Sequence, residues 1–210
     1  MRGNHWIAVG TVAMVLIGAL LWKDRPQTEP LSFRNSDQLL TESGRLFAVG
    51  DSTPYSGPVM DYHPNGNKAY SVTMVDGVAQ GLATEWHKNG QKKTEATLQD
   101  GEAVGVLRGW YDNGQPQYDV PLQNGKAEGI TTEYYPGGQR RNETMYVRDQ
   151  RHGSETGYSE TGQLKWKAVW RRDRLHGENT EFYPNGQKKT EATLQDGEAV
   201  GVLRGWYDNG

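Results

Sequence analysis

Glycine recurs along this 210-residue chain on a fixed step of 24. Gly66, Gly90, Gly114, Gly138, Gly162, Gly186 and Gly210 form one series, and Gly57, Gly81, Gly105, Gly129, Gly153, Gly177 and Gly201 form a second. An aromatic residue keeps the same step at Tyr62, Trp86, Trp110, Tyr134, Tyr158, Phe182 and Trp206. A period of this length marks a repeat architecture, in which each unit contacts only its neighbours. The stretch NGQKKTEATLQDGEAVGVLRGWYDNG occurs twice without a difference, at Asn89–Gly114 and Asn185–Gly210. Its offset of 96 is four units of 24, so the duplication lies in register with an older repeat. Alternation of Glu85, Gly109, Glu133, Gly157, Glu181 and Gly205 at one position points to a copied two-unit block.

Each unit holds two strand-like runs, typified by GITTEYYPGG and QRRNETMYV. Asn-Gly or Gly-Gly separates them, and Asp-Gly or Asn-Gly usually follows. Both dipeptides accept positive φ at low cost and favour hairpins. Thr, Tyr, Trp and Val suit a half-exposed pleated surface. Runs of about nine residues, bounded by turns, are too short for helices, so the expectation is a meander of about thirteen strands. Only 34% of residues are hydrophobic, and three Phe stand against 11 Tyr and seven Trp. Such a chain cannot fill a thick aliphatic core. It can build a thin sheet held by amphipathic rings. The expected fold is therefore all-β, an elongated single-layer antiparallel meander over residues 39–210, roughly 60–70 Å long for seven units.

The repeats also test strand pairing. Asp61, Glu85, Glu133 and Glu181 coincide with Lys68, Lys92, Arg140 and Lys188 seven positions later, whereas Gly109 and Gly157 coincide with Pro116 and Leu164. Acid meets base as cross-strand neighbours would. Pairing 85 with 92 satisfies that rule but puts Trp86 on the face opposite Thr94, Ala96 and Leu98. Pairing 86 with 92 gathers the apolar positions on one face, and a bulge at Asn-Gly reconciles the two. The sequence leaves both registers open.

The unit E-[YFW]-Y-P-N-G-Q-x-K-x-E-x-x-x-x-D-G-x-x-x-G resembles the MORN-repeat variant found in tandem in bacterial proteins. EFYPNGQKKTEATLQDGEAVG and EWHKNGQKKTEATLQDGEAVG carry the likeness, and LLTESGRLFAVGDSTPYSG resembles the run that opens such arrays. The resemblance implies a twisted antiparallel sheet that binds or scaffolds, and many such proteins carry the label of antitoxin. Asp149 and Asp173 replace the glycine after the second strand, and Ser159-Glu160-Thr161 replaces Y-P-N. Altered turns are expected in those units.

Ahead of the repeats, Trp6–Trp22 (WIAVGTVAMVLIGALLW) carries no charge and a Trp at each end. As a helix it spans about 25 Å, close to the hydrocarbon thickness, with both indoles at the interfaces. Residues 1–22 are expected to form an uncleaved single-pass anchor, the alternative being a cleaved signal peptide. Residues 23–38, polar with two prolines, form a linker, and the repeats are expected outside the cytoplasm. The chain stops at the Gly210 turn with half a hairpin, so it is expected to continue beyond it. A net charge of −3 gives no attraction to nucleic acid, and no Cys is present for disulfides or thiolate chemistry.

Two groups of residues are candidates for binding. The aromatic column Tyr62 to Trp206 is a stacking platform or simply packs the sheet together. Arg148, Arg151, Lys165, Lys167, Arg171, Arg172 and Arg174 concentrate positive charge that suits anionic lipid or an acidic partner. His63 and His87, and His152 and His176, repeat at one unit's spacing without a third ligand, which repeat descent explains better than metal. No nucleophile, phosphate or zinc signature is present, so neither a catalytic function nor a cofactor is expected. The expected function is a membrane-anchored scaffold contacting other protein subunits. Lipid or glycan binding and an antitoxin-like partner are the alternatives.

Overall fold

The computed structural model describes residues 39–42 and 44–209. The Trp6–Trp22 anchor with its interfacial Trp6 and Trp22, the 23–38 linker and any continuation past Gly210 lie outside the described residues. Among the described residues there is no helix, and so none long and apolar enough to cross a membrane. The chain falls into two compact units, one ending at Leu107 and including Gln123–Lys126, the other comprising Arg108–Leu122 and the residues from Ala127 onward.

In the first unit a small hairpin, β1 (Leu39–Glu42) with β2 (Arg45–Ala48), precedes β3 (Gly57–Tyr62), β4 (Lys68–Val75), β5 (Val78–Trp86), β6 (Lys92–Gln99) and the start of β7 (Glu102–Trp110). The second unit holds the end of β7, β8 (Pro116–Gln123) up to Leu122, Ala127 of β9 (Lys126–Ala127), β10 (Gly129–Tyr134), β11 (Arg140–Val147), β12 (Gln150–Tyr158), β13 (Leu164–Arg171), β14 (Arg174–Leu175), β15 (Gly177–Phe182), β16 (Lys188–Gln195), β17 (Glu198–Ala199) and β18 (Arg204–Gly205). Within each unit the strands lie antiparallel in chain order, a meander as the turn spacing predicts.

Two kinds of turn set the 24-residue step. After each second strand the turn residues both take positive φ, as at Asp76 (49°) and Gly77 (75°), the type I′ geometry that matches strand twist. The second turn residue then donates its N–H to a carbonyl 22 residues back: Gly77 to Tyr55, Gly101 to Ala79, Gly125 to Ala103, Asp149 to Ala127, Asp173 to Arg151 and Gly197 to Leu175. The other turn is a three-residue loop closed by a left-handed glycine. In the first copy His63 N–H reaches Asn67 O, Gly66 N–H reaches His63 O, and Asn65 Oδ1 accepts the Asn67 N–H. Asn65 Nδ2 also donates to Lys88 O, as Asn113 does to Pro136 O and Asn185 to Asp208 O, tying each loop to the next.

The altered turns expected at the departures from the repeat are not found. Arg148-Asp149 and Arg172-Asp173 keep the same pair of positive φ values. Asp pays for the left-handed conformation with its side chain, since Asp149 Oδ1 accepts the Ala127 N–H at 2.7 Å and Asp173 Oδ1 accepts the Arg151 N–H at 3.1 Å. Ser159 Oγ takes the role of the missing Asn by accepting the Gln163 N–H, so that loop closes like the others.

The register settles the question left by the charges. Trp86 pairs with Lys92 and Glu85 with Thr94, so Lys93 is the extra residue of a β-bulge. The same bulge recurs at Ala69, Arg141, Lys165 and Lys189. It corrects the acid–base pairing read from positions 85 and 92. The bulged base reaches the acid, Lys93 to Glu85 at 3.4 Å, Arg141 to Glu133 at 3.9 Å and Lys189 to Glu181 at 3.9 Å. The preceding base bridges three residues along its own strand, Lys92 to Glu95, Arg140 to Glu143 and Lys188 to Glu191. The bases of these pairs are about half exposed while the acids are mostly covered, and such pairs at a surface add only about 0.2–1 kcal/mol each.

Buried aliphatic side chains lie on one face, while Thr84 and Thr180 are buried on the other. Val59 faces Val72, and Ala83 faces Ala96, with Tyr70, Met74, Leu98, Ala103 and Leu107 also buried in the first unit. In the second unit the same pairs turn polar, Thr131 against Thr144, Glu155 against Ala168 and Asn179 against Ala192. Aliphatic packing therefore stabilises the first unit more than the second.

Because Ala127 is fully buried, its N–H depends on Asp149. Asp149→Ala is expected to lower stability by about 1–3 kcal/mol, through an unpaired buried donor and an unrelieved positive φ. Asp149→Asn should stay within about 0.5 kcal/mol. Denaturant midpoints of the two variants measure the difference, and equal midpoints would remove the carboxylate from the account.

Candidate functional site

Side chains alternate across each strand. Ala83 and Glu85 share a face with their partners Ala96 and Thr94, which leaves Thr84 and Trp86 on the other. The bulge thus separates Trp86 from Ala96 and Leu98, against the expectation that an 86–92 pair would gather them.

The aromatic column is half-buried at Tyr62, Trp86, Trp110, Tyr134, Tyr158, Phe182 and Trp206 alike. Its members have partners within the sheet. Tyr134 Oη donates to Asp119 Oδ2 at 3.0 Å and Tyr158 Oη to Glu143 Oε2 at 3.1 Å. Burial raises both hydroxyls above the usual tyrosine value, and the hydrogen bonds to carboxylates raise them further. Tyr62 Oη lies 3.7 Å from Met60 Sδ, and the Lys68 and Lys188 ammonium groups lie 5.7 and 5.9 Å from the rings of Trp86 and Trp206. Within each unit these rings are half-buried, with partners on neighbouring strands.

The residue after this column forms a second ladder that the sequence reading missed. Tyr111, Tyr135 and Tyr183 donate their hydroxyls to the carbonyls of Tyr134, Tyr158 and Trp206, at 2.7–2.8 Å. His63 Nε2 lies 2.8 Å from Trp86 O, so its N–H form does the same work. The 24-residue spacing of His63 and His87 is thus the spacing of a hydrogen-bonding position. His176 Nδ1 lies 3.5 Å from Asp196 Oδ1, and among the described residues no three potential metal ligands converge.

Arg148, Arg151, Arg171, Arg172 and Arg174 sit at or beside two neighbouring turn tips, while Lys165 and Lys167 lie along β13. Arg151 is held by Asp173 at 3.2 Å and lies 3.6 Å over the Trp170 ring. Arg148 and Arg172 occupy turns, and Arg171 faces Arg174 directly across the tip that Arg172 begins. Lys165 is a bulge residue stacked near Trp166, and Lys167 pairs with Thr180. Six residues of strand separate Lys165 from Arg171, about 20 Å.

A further correlation was legible but overlooked. Where the alternating position is glycine, its cross-strand partner is a large ring. A methyl on Gly109 would fall 2.3 Å from Tyr118 Cζ, and one on Gly157 2.1 Å from Trp166 Cε2. Where the position is Glu85, Glu133 or Glu181, the partner is Thr94, Asn142 or Thr190. Asp61, at the same position, faces Tyr70, so the compensation holds only from Glu85 onward.

On the face of Trp86, one repeat position leaves aliphatic side chains in solvent. Leu82 is 56% exposed and Val106 37% in the first unit, and Ile130 is 55% exposed in the second, opposite Met145.

The family model of the MORN repeat variant matches residues 127–148 and 175–196. Each match covers one hairpin from its first strand to the type I′ turn, so the resemblance holds at those hairpins. MORN repeats suggest a scaffold for protein or lipid contacts. No curated protein matches the chain.

The glycine–ring pair makes a double-mutant cycle. Gly109→Glu should cost about 1–3 kcal/mol by overpacking, and adding Tyr118→Thr should recover most of it. Additive losses in urea unfolding would contradict the pairing.

A pH test follows from the tyrosines. Burial pushes Tyr70 up, with Glu85 and Asp61 adding to it, and burial also raises Tyr111, Tyr134, Tyr146 and Tyr158. Groups raised in the folded state contribute stability that is intact below the unfolded value of about 10 and lost as pH rises past it. The thermal midpoint should hold to about pH 9 and fall beyond, less steeply in Tyr70→Phe. A midpoint that rises above pH 10 would reverse the sign.

Proposed function

We propose that this chain is a non-catalytic repeat scaffold that presents the Trp86 face of its hairpins to another protein, and that residues 6–22 hold it at a membrane as an accessory subunit. The observation that carries the reading is the solvent-exposed aliphatic position at Leu82, Val106 and Ile130. Three consecutive units place an aliphatic side chain at this position, which favours an apolar partner over open water there, whereas Ser154 and Glu178 hold it in the following two units. Beside it, Tyr134 and Tyr158 have hydroxyls already bonded within the sheet, which lowers the desolvation cost of covering those rings. The uncharged Trp6–Trp22 segment supports the membrane placement, with the hairpins outside the cytoplasm.

A second reading has its own support. Arg171 opposite Arg174, with Arg172 in the same tip, sets like charges together at a cost that an anionic ligand such as a lipid headgroup would relieve.

The full-length chain with Leu82→Lys and Ile130→Lys, purified from detergent-solubilised membranes, is expected to lose subunits that accompany the parent while keeping its circular dichroism. Retention of the same subunits would sink the apolar-face reading. Replacing Arg171 and Arg174 by Ser should leave those subunits in place. If it instead abolishes a preference for anionic over neutral vesicles, the lipid reading gains.

A further inference from the structure

Asn-Gly is a reactive pair as well as a turn former, and asparagine is among the thermolabile residues. Glycine has no side chain to obstruct the approach of its nitrogen to the asparagine Cγ. Attack there closes a succinimide ring and expels ammonia, and water then opens the ring to aspartate or isoaspartate. Five such pairs lie among the described residues, at Asn65, Asn89, Asn113, Asn124 and Asn185, each with its asparagine exposed. Access to water therefore does not choose among them. Hydrogen bonding does.

Four of the five sit in the three-residue loops. There Oδ1 of Asn65, Asn89, Asn113 and Asn185 accepts the N–H two residues on, at 3.0–3.1 Å. Asn65, Asn113 and Asn185 also donate Nδ2 to a carbonyl of the next loop, at 2.7–2.9 Å. The carboxamide that must turn toward the glycine nitrogen, and lose its own, is thus clamped. The nucleophile is held as well, since Gly66, Gly90, Gly114 and Gly186 donate their N–H within the loop. Asn124 stands in the other kind of turn, at φ 50°. Gly125 N–H bonds to Ala103 O at 3.0 Å, but among the described residues no hydrogen bond holds the Asn124 side chain. One bond must open there before attack, against at least two in each loop.

We propose that Asn124-Gly125 is a modification site, at which the succinimide forms ahead of the other four pairs. The bond from Gly125 N to Asn124 Cγ forms, the Cγ–Nδ2 bond breaks with loss of ammonia, and hydrolysis adds one water. The two products act differently on the fold. Aspartate gives this turn the residue that three other copies already hold, since Asp76, Asp100 and Asp196 each precede a glycine at φ 49–52°. The turn persists, with one negative charge added near Lys126. Isoaspartate routes the main chain through Cβ and Cγ and lengthens it by one atom. The type I′ geometry and the Gly125–Ala103 bond are then lost. That bond is one of the links that join consecutive hairpins at a 22-residue step, so isoaspartate loosens the tip. Neither the exposed aliphatic position nor the arginine tips take part, so this inference stands or falls apart from the partner readings.

The test ages the full-length chain in detergent micelles at mildly alkaline pH and maps conversion at each pair by digestion and mass spectrometry. Asn124 is expected to convert about fivefold or more faster than any loop asparagine, the rate equivalent of one side-chain hydrogen bond. In urea, where those bonds are gone, all five should convert at similar rates, which separates the effect of the fold from that of the sequence. Equal rates in the folded chain, or a loop asparagine ahead of Asn124, overturns the proposal. So does an unconverted folded chain at a time when the unfolded one has reacted. Asn124→Asp should keep the parent's urea midpoint, whereas the isoaspartate fraction, separated by chromatography, should exchange the Gly125 amide about tenfold faster. A lowered midpoint in the first, or parental exchange in the second, overturns the roles given to the two products.

Discussion

Main-chain hydrogen bonding between consecutive hairpins is the constraint on which the rest of this structure depends. Buried side chains are few and many are small, with Ala83, Ala96, Ala103, Ala127 and Ala168 among them. Side-chain burial alone therefore sets the register weakly. The register is enforced at the tips. Each type I′ turn hands an N–H to a carbonyl 22 residues earlier, and at the other end a Tyr or His reaches a carbonyl 23 residues later. One such bond contributes only about 1 kcal/mol net. Repeated at every step, the set fixes the unit length, since a hairpin one residue longer would miss both acceptors.

The side chains adapt to that lattice in compensating pairs. A glycine is matched by Tyr118 or Trp166, and a glutamate by Thr94, Asn142 or Thr190. Asp149 and Asp173 stand in for turn glycines because their carboxylates gain a backbone N–H that glycine cannot bind. The change from Val59 with Val72 to Glu155 with Ala168 shows the same tolerance on the buried face. Glu155 is accepted there because Asn142 Nδ2 and the Trp170 indole N–H both donate to it. Function inherits this economy. The Tyr134 and Tyr158 hydroxyls are engaged within the sheet, and Leu82, Val106 and Ile130 leave aliphatic surface exposed.

Much of this was legible in the sequence, for local reasons. Asn-Gly and Asp-Gly name their own turn geometry, and the step of 24 counts strands without reference to packing. The candidate site was less legible. The aromatic column was visible as a column, but its partners Asp119 and Glu143 lie on the preceding strand, 15 residues away, and depend on register. The acid–base coincidence at positions 85 and 92 suggested a direct pair because the bulge at Lys93 has no compositional mark. The seven basic residues looked like one cluster because sequence proximity ignores the length of a strand. Aliphatic exposure at Leu82 and Ile130 could not be read at all, as the same residue types are buried one position away.

The sequence by itself determined the unit, its two turns, the antiparallel order and the all-β class. Each of these follows from backbone preferences of short segments that hold wherever the segment is placed. Only the tertiary structure decided which residue is bulged, which ring lies over which glycine, and which aliphatic side chains meet solvent. Those depend on the strand alongside, and the two copies of EAVGVLRGW differ accordingly: one is the nine-residue strand β7 with Leu107 buried, the other the short β17 and β18 with Leu203 exposed.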